Sequence, residues 1–220
     1  MRNYKLVSFD LDGTLTMGTT CLQYYVKKLG VEDKAIDLEN LYKNHKIDDY
    51  EIANRYAKIL KDTSKKQFDE WTSEIPRMGN IKETVDKLKQ VGFMVGITSI
   101  GPIFASEYFK KSFGFDFISG SEHEFINGIH TGRMLNVLTG GDKVLILEKL
   151  SKEKNIEMSE IIAVGDSRSD IPIFEKVGYR IALNADDNLK IYSDQCLNSG
   201  DLFQVLNKIV EKCPYFRDGP

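Results

Sequence analysis

Short apolar segments alternate with amphipathic segments over most of this chain. The run from Tyr4 to Phe9 is apolar and rich in strand-forming residues, and it ends at Asp10, which predicts a buried strand entering a tight turn. Strands separated by helices predict an α/β fold built on a doubly wound parallel sheet with helices on both faces. Beyond residue 80 we expect helices over 81–91, 103–111, 143–154, 171–177 and 202–211, and strands over 93–98, 115–119, 161–164 and 179–183.

Between residues 17 and 75 the pattern is helical throughout, without a strand pattern. The segment predicts three or four helices packed as a small all-α domain, and Ile75 to Gly79 breaks the pattern like a linker. We therefore expect an α/β core formed by residues 1–16 and 76–220 and a helical domain formed by 17–75. Asn127-Gly128 favours a hairpin turn, and 214–220 is expected to be an irregular tail.

Composition and charge restrict the function classes. Of the 220 residues, 41% are hydrophobic and 29% charged, as in proteins that bury a substantial core. The net charge is −3 and no long basic run occurs, so we expect no nucleic-acid partner. No N-terminal leader is evident, and no apolar run approaches the ~20 residues that cross a bilayer, so we expect a cytoplasmic protein without a membrane partner.

The cysteines indicate a reducing compartment. Cys21, Cys196 and Cys213 are an odd number, far apart and without metal-site spacing, so neither a disulfide framework nor a zinc site is expected. The sequence leaves two oligomeric states open, a monomer and a homodimer.

Three polar clusters follow predicted strands. They are Asp10 to Gly13, Thr98-Ser99 and Gly165-Asp166. Because ligands of parallel α/β sheets bind at the carboxyl ends of the strands, we expect these clusters to converge on one edge of the sheet.

Two acidic pairs point to a metal-assisted reaction. Asp10 and Asp12 leave one strand together, and adjacent carboxylates repel unless a cation or a proton lies between them. Mg²⁺ prefers oxygen ligands such as carboxylates and the oxygens of a substrate phosphate. One of the two carboxylates could therefore bind the metal and attack the phosphorus of that substrate, while the other transfers protons. Asp166 would face the same metal, and Asp170 could anchor a lysine. The alternative for the first pair is an Asp-Gly turn or an N-cap pair. The alternative for the second is helix capping, with Ser167 or Ser169 as the cap.

Two further positions suit an anion. Ser99, with the backbone N–H groups that run to Gly101, could seat a phosphate at a helix start. Lys143 opens a predicted helix and could neutralise charge in the site. Taken alone, Ser99 is also typical of a simple cap and Lys143 of a surface lysine.

In their order along the chain, these segments resemble the four motifs of the haloacid dehalogenase superfamily. Asp10 to Thr14 resembles the first motif, Thr98-Ser99 the second, Lys143 the third, and Gly165 to Asp170 the fourth. The resemblance implies that Asp10 is the nucleophile and that Asp12 is the general acid and base. It further implies that Mg²⁺ is held by Asp10, the Asp12 backbone carbonyl and Asp166. Ser99 and Lys143 would bind the phosphoryl group beside Gly101 and Ser169, with Asp170 positioning Lys143.

The helical segment resembles the cap of the subgroup that includes phosphoserine phosphatases. Those enzymes carry a glutamate shortly after the first motif that binds the substrate amine, whereas Thr16 to Thr20 contains no acid here. Arg55 falls roughly where they place a carboxylate-binding arginine. The second motif has Ser99 to Pro102 in place of a double glycine.

The function predicted from these residues is a Mg²⁺-dependent phosphomonoesterase that acts through an aspartyl-phosphate on a small phosphorylated metabolite. Phosphoserine is placed in doubt by the departures above. An alternative is a phosphomutase on a sugar phosphate, which would keep Asp10 and Asp12 as well. A catalytically silent binding module is the alternative from another class, although such modules usually lose one of the acids.

Overall fold

The structure, a computed structural model, describes residues 4–213 except for the Lys43 side chain. The predicted tail at 214–220 lies outside the described residues. The strands are β1 (Leu6–Phe9), β2 (Met94–Ile97), β3 (Phe117–Ile118), β4 (Glu122–Ile126), β5 (Ile129–Asn136), β6 (Ile161–Gly165), β7 (Tyr179–Leu183) and β8 (Gln195–Leu197). The helices are α1 (Cys21–Lys28), α2 (Glu32–Lys43), α3 (Asp49–Ile59), α4 (Lys65–Glu74), α5 (Ile81–Gln90), α6 (Ile103–Phe113), α7 (Gly140–Lys154), α8 (Ile171–Phe174), α9 (Asp187–Lys190) and α10 (Phe203–Lys212).

The main sheet has the strand order β3-β2-β1-β6-β7-β8, and its neighbouring strands are all parallel. β1 lies between β2 and β6, with Phe9 opposite Ile97 on one side and Val164 on the other. The strand order reverses at β1, which is where ligands bind in such sheets. The predicted doubly wound parallel sheet is therefore confirmed.

Both faces of this sheet are buried, because successive side chains of a strand point to opposite sides. In β1, Val7 and Phe9 join the core beneath α5, α6 and α10. Leu6 joins a second core, to which Leu147 of α7 and Phe174 of α8 also belong. Each strand is thus held from both sides, which keeps the carboxyl ends of β1, β2 and β6 in register.

Four helices, α1 to α4, lie between β1 and β2, and we call them the helical insert. Thr20 and Ser64 cap α1 and α4, each with a reciprocal hydrogen bond to a glutamine three residues on. The insert is hydrogen-bonded to the β4–β5 hairpin: Asp62 N–H donates to the His130 carbonyl, and His130 N–H donates to the Thr63 carbonyl, both at 2.9 Å.

Several element limits differ from the prediction for local reasons. α7 begins at Gly140 because Thr139 and Asp142 form a capping box, which tolerates two glycines in the first turn. β8 and α9 are too short to leave a periodic pattern and were not predicted. Within residues 4–213, no helix combines the length and apolar character needed to span a membrane.

Candidate active site

Asp10 stands at the centre of the site, one residue beyond β1. Its backbone N–H donates to the Val164 carbonyl of β6 at 2.8 Å, which continues the sheet ladder past the end of β1. Thr98 N–H donates to the Phe9 carbonyl at 2.8 Å, and the hydroxyls of Ser8 and Thr98 lie 2.7 Å apart. These bonds bring the ends of β1, β2 and β6 together, so the predicted convergence of the three clusters occurs.

Lys143 is fully buried beneath Asp10. Its Nζ donates to Asp10 Oδ1 at 2.8 Å, to Asp170 Oδ1 at 2.7 Å and to Ser169 Oγ at 3.2 Å. Burial by itself would lower the pKa of this ammonium, but the two carboxylates outweigh burial and raise the pKa above its usual range. The surface-lysine alternative is thereby excluded, and Lys143 is a fixed positive charge.

Asp166 and Asp170 both follow β6, but only Asp166 lies in the wall of the cavity described below. Asp170 Oδ2 accepts from the backbone N–H groups of Asp166 and Ser167, while Oδ1 accepts from Lys143. Asp166 Oδ1 accepts from Thr14 Oγ1 at 2.9 Å. Asp170 is thus committed to holding Lys143 and the turn, and it does not contribute to the cavity wall.

The acidic residues fit a hard divalent cation. One carboxylate oxygen each from Asp10, Asp166 and Asp170 lies within 4.8 Å of the others. Burial, with repulsion from neighbouring acids, raises the pKa of Asp10 to about 7 and that of Asp166 to about 9. A cation would remove this penalty, and a set of oxygen donors alone suits Mg²⁺.

Asp12 faces away from this cluster. Its Oδ1 accepts the Cys21 backbone N–H at 2.6 Å. Burial raises the pKa of Asp12, and hydrogen bonds from Cys21 partly offset this increase. The Asp12 carboxylate is therefore not part of the acidic cluster, which leaves the Asp12 backbone carbonyl as its expected contribution to a metal site.

Ser99 and Gly101 lie beside Asp12. Ser99 is buried, and its Oγ accepts the Gly101 N–H at 3.0 Å, which leaves the hydroxyl proton available to a ligand. A β-carbon at Gly101 would lie 2.5 Å from Asp12 Oδ2. Gly101 therefore leaves room next to the Asp12 carboxylate. Its N–H donates to Ser99, so the expectation that this N–H would face a bound phosphate is not supported.

These residues open into a cavity of about 1120 Å³ between the sheet edge and the helical insert. Glu39 lines it and accepts a 2.7 Å hydrogen bond from Tyr56, whose hydroxyl is buried. Arg168 stacks 5.0 Å from the centre of the Tyr42 ring and so connects the fourth-motif turn to α2. Lys143 lies behind the wall that Asp10 and Ser169 form.

Arg55 is the predicted site residue that the structure does not bring to the site. It lies on the outer face of α3, forms an exposed ion pair with Glu51 one turn earlier, and is absent from the described cavity wall. The expectation of a substrate contact is not supported, because a neighbouring acid on the same helix face holds the guanidinium in solvent.

Other residues of the site escaped prediction from sequence. Cys21 lies within the capping sequence Thr20 to Gln23, which marks the start of a helix but does not show which residue that start contacts. Thr14 could have been identified from its place in the first motif. The sequence around Glu39, Tyr42 and Tyr56 shows only a helical pattern, which does not indicate that they line a cavity.

Comparisons with known proteins agree with this geometry. A profile of the haloacid dehalogenase-like hydrolase family matches residues 7–175. A phosphoserine phosphatase of Methanocaldococcus jannaschii is 29% identical over 93% of this chain and 97% of its own. One of Archaeoglobus fulgidus is 28% identical over 91% of this chain, which spans 58% of that relative's length. A solved phospho-aspartyl intermediate analogue of a phosphoserine phosphatase superposes with a TM-score of 0.83 at 27% identity, over 94% of this chain and 99% of the other.

The family profile covers most of the chain, and the fold is shared with relatives along nearly its full length. The predictions of the family, of the phosphoserine phosphatase-like subgroup and of an enzyme are confirmed. This chain belongs to the haloacid dehalogenase-like hydrolase family.

Proposed function

We propose that this protein is a Mg²⁺-dependent phosphomonoesterase that acts through an aspartyl-phosphate on a small phosphorylated metabolite. The observation that carries the proposal is the buried Lys143, which binds Asp10 on one side and Asp170 on the other, behind the cavity wall. A nucleophile held by a fixed cation next to a separate proton donor is what phosphoryl transfer by covalent catalysis requires.

The proposed reaction has two steps. Asp10 attacks phosphorus and the ester bond breaks, while Asp12 gives its proton to the leaving oxygen. Asp12 then takes a proton from water as the water oxygen attacks phosphorus, which releases phosphate and restores Asp10. Ser99 would donate its hydroxyl proton to the phosphoryl group, and Lys143 limits the build-up of negative charge at Asp10.

Mg²⁺, when bound, would neutralise the acidic cluster and the phosphate oxygens. Asp10, Asp166 and the Asp12 backbone carbonyl are the proposed ligands. Thr14 supports this arrangement because its hydroxyl orients Asp166, in the way that hydrogen bonds to metal-binding carboxylates usually do.

The helical insert is proposed to be a cap domain, residues 17–75, over a core of 1–16 and 76–220. It encloses the cavity from the side opposite the sheet, so its residues would select the substrate. The relatives named above are phosphoserine phosphatases, which makes phosphoserine the first substrate to test. Two departures from those enzymes, however, call for a panel of phosphorylated substrates. Thr16 to Thr20 lacks the substrate-binding glutamate, and Arg55 is turned away from the cavity.

The test is phosphate release from phosphorylated amino acids, sugars, nucleotides and glycolate, and from p-nitrophenyl phosphate, with Mg²⁺ and with a chelator. We expect Mg²⁺-dependent release that Asp10→Asn lowers by several orders of magnitude. Asp116→Asn, at a surface ion pair with Lys89, is the matched control and should retain activity. Isomerised sugar phosphate without free phosphate would indicate a phosphomutase, and no Mg²⁺-dependent turnover of any kind would refute the proposal.

A further inference from the structure

The two carboxylate oxygens of Asp12 have different surroundings. Oδ1 accepts the backbone N–H of Cys21 at 2.6 Å. The Cys21 thiol lies close enough to this carboxylate to lower its pKa. Oδ2 faces Gly101, where an added β-carbon would lie 2.5 Å from Oδ2 and 3.3 Å from Ser99 Oγ. One oxygen is therefore tied to the helical insert and the other faces Gly101 in the cavity wall.

The bond from Cys21 arises from its place at the first position of α1. The first N–H groups of a helix have no partner within the helix. Thr20 Oγ1 accepts the Gln23 N–H at 3.2 Å, so the cap satisfies one of these groups and Asp12 satisfies that of Cys21. The positive end of the helix also favours a negative charge at this point.

Helix α1 packs against α4 around the position of Cys21. The Tyr25 hydroxyl, one turn along α1, lies 2.6 Å from Thr72 Oγ1 of α4. Thr72 Oγ1 donates to the Phe68 carbonyl at 2.6 Å. Cys21, Tyr25 and Thr72 are at most 1% exposed, so the start of α1 is held by packing inside the insert.

We propose that Cys21 is a positioning residue for the general acid: it holds Asp12 Oδ1 so that Oδ2 is the oxygen that exchanges the proton. A backbone N–H requires an acceptor, so Oδ1 stays unprotonated whether Asp12 is charged or neutral, and the proton is carried on Oδ2. That proton passes to the ester oxygen as its bond to phosphorus breaks, and Oδ2 accepts a proton from water in the second step. This inference rests on the proposed function.

A consequence follows for the choice of leaving group. An alkoxide is strongly basic and leaves only when it is protonated, whereas nitrophenolate is weakly basic and leaves without a proton. Loss of the positioning contact should therefore slow alkyl esters much more than aryl esters. A defect that merely loosened the site would slow both alike.

The experiment compares kcat/KM for p-nitrophenyl phosphate with that for the best alkyl phosphate found in the phosphate-release screen, because kcat/KM includes the step that expels the leaving group. Cys21→Ala removes the thiol and keeps the N–H; we expect a loss of roughly tenfold on the alkyl ester and less than about twofold on the aryl ester. Cys21→Ser should restore most of the lost ratio, since its hydroxyl can donate in the same direction.

Cys21→Pro removes the N–H as well. Proline is tolerated at the first helical position, and the extended backbone of Thr20 (φ −89°, ψ 162°) suits a residue before proline. We expect a selective loss of about 10² on the alkyl ester, approaching that of Asp12→Asn. Cys196→Ala, at an exposed cysteine, is the matched control and should change neither ester.

Thermal unfolding of each variant is measured so that a folding defect in Cys21→Pro is recognised, in which case Cys21→Ala and Cys21→Ser supply the comparison. Equal losses on the two esters, or unchanged selectivity in all Cys21 variants, would overturn the inference while leaving the phosphatase intact. Absence of Mg²⁺-dependent release by the wild type would overturn the proposed function and this inference with it.

Discussion

Asp166 is a proposed metal ligand whose burial beside other acids lowers stability, and Asp166→Asn should separate the effect on activity from the effect on stability. The carboxylate lies beside two other acids, and burial followed by their repulsion raises its pKa from 3.8 to about 9 in the metal-free protein. Asparagine has nearly the same shape, and its side-chain oxygen can still accept from Thr14. Asparagine carries no ionisable group, so its burial carries no cost that depends on pH.

The sign and size of the effect follow from proton linkage. Between pH 4 and pH 9 the folded metal-free protein keeps a proton on Asp166 that the unfolded chain has lost, so its stability falls as pH rises, by about 1.36 kcal/mol per unit. Asp166→Asn lacks this dependence. From pH 5 to pH 7, its free energy of unfolding should therefore rise by about 2 to 3 kcal/mol relative to wild type.

The assay is urea unfolding with excess chelator at several pH values, followed by circular dichroism and by fluorescence of the single tryptophan, Trp71. With Mg²⁺ the wild type should gain stability by mass action and the variant should gain little, and the variant should have lost activity. Asp186→Asn, at a helix cap close by, controls for removal of an acid. A difference between variant and wild type that does not grow with pH would refute the reasoning about Asp166.

Further predictions concern two buried clusters. Lys143→Met should lower kcat by about 10² to 10³, because Asp10 loses its fixed cation; Lys149→Met, exposed on the same helix, is the control, and retention of most activity would contradict the role. His123 Nδ1 and His130 Nε2 lie 2.8 Å apart, and burial lowers the pKa of His123 to about 3 and of His130 to about 4. Since both are neutral when folded, stability should be lost as pH falls below 6.5, by up to about 2 kcal/mol per histidine at pH 5. His123→Leu should weaken this dependence in urea titrations, and an unchanged dependence would count against the assignment.

The sequence by itself determined the type of fold and the centre of the site. Apolar runs of strand length separated by amphipathic helices allow few arrangements other than a parallel sheet covered on both faces. Once the sheet is parallel, the residues just past β1, β2 and β6 must share an edge, so Asp10, Ser99 and Asp166 could be placed together without coordinates.

Tertiary structure alone decided which long side chains reach that edge. Lys143 and Arg55 both occupy helices and look alike in the sequence, yet one is fully buried against two carboxylates and the other is held in solvent by Glu51. The hydrogen bond from Cys21 to Asp12 could not be predicted from the sequence either, because it depends on the angle at which α1 leaves the first-motif turn. Periodicity along the chain records which face of a helix is buried. It does not record which neighbour that face meets, because the neighbour is chosen by packing among segments distant in sequence.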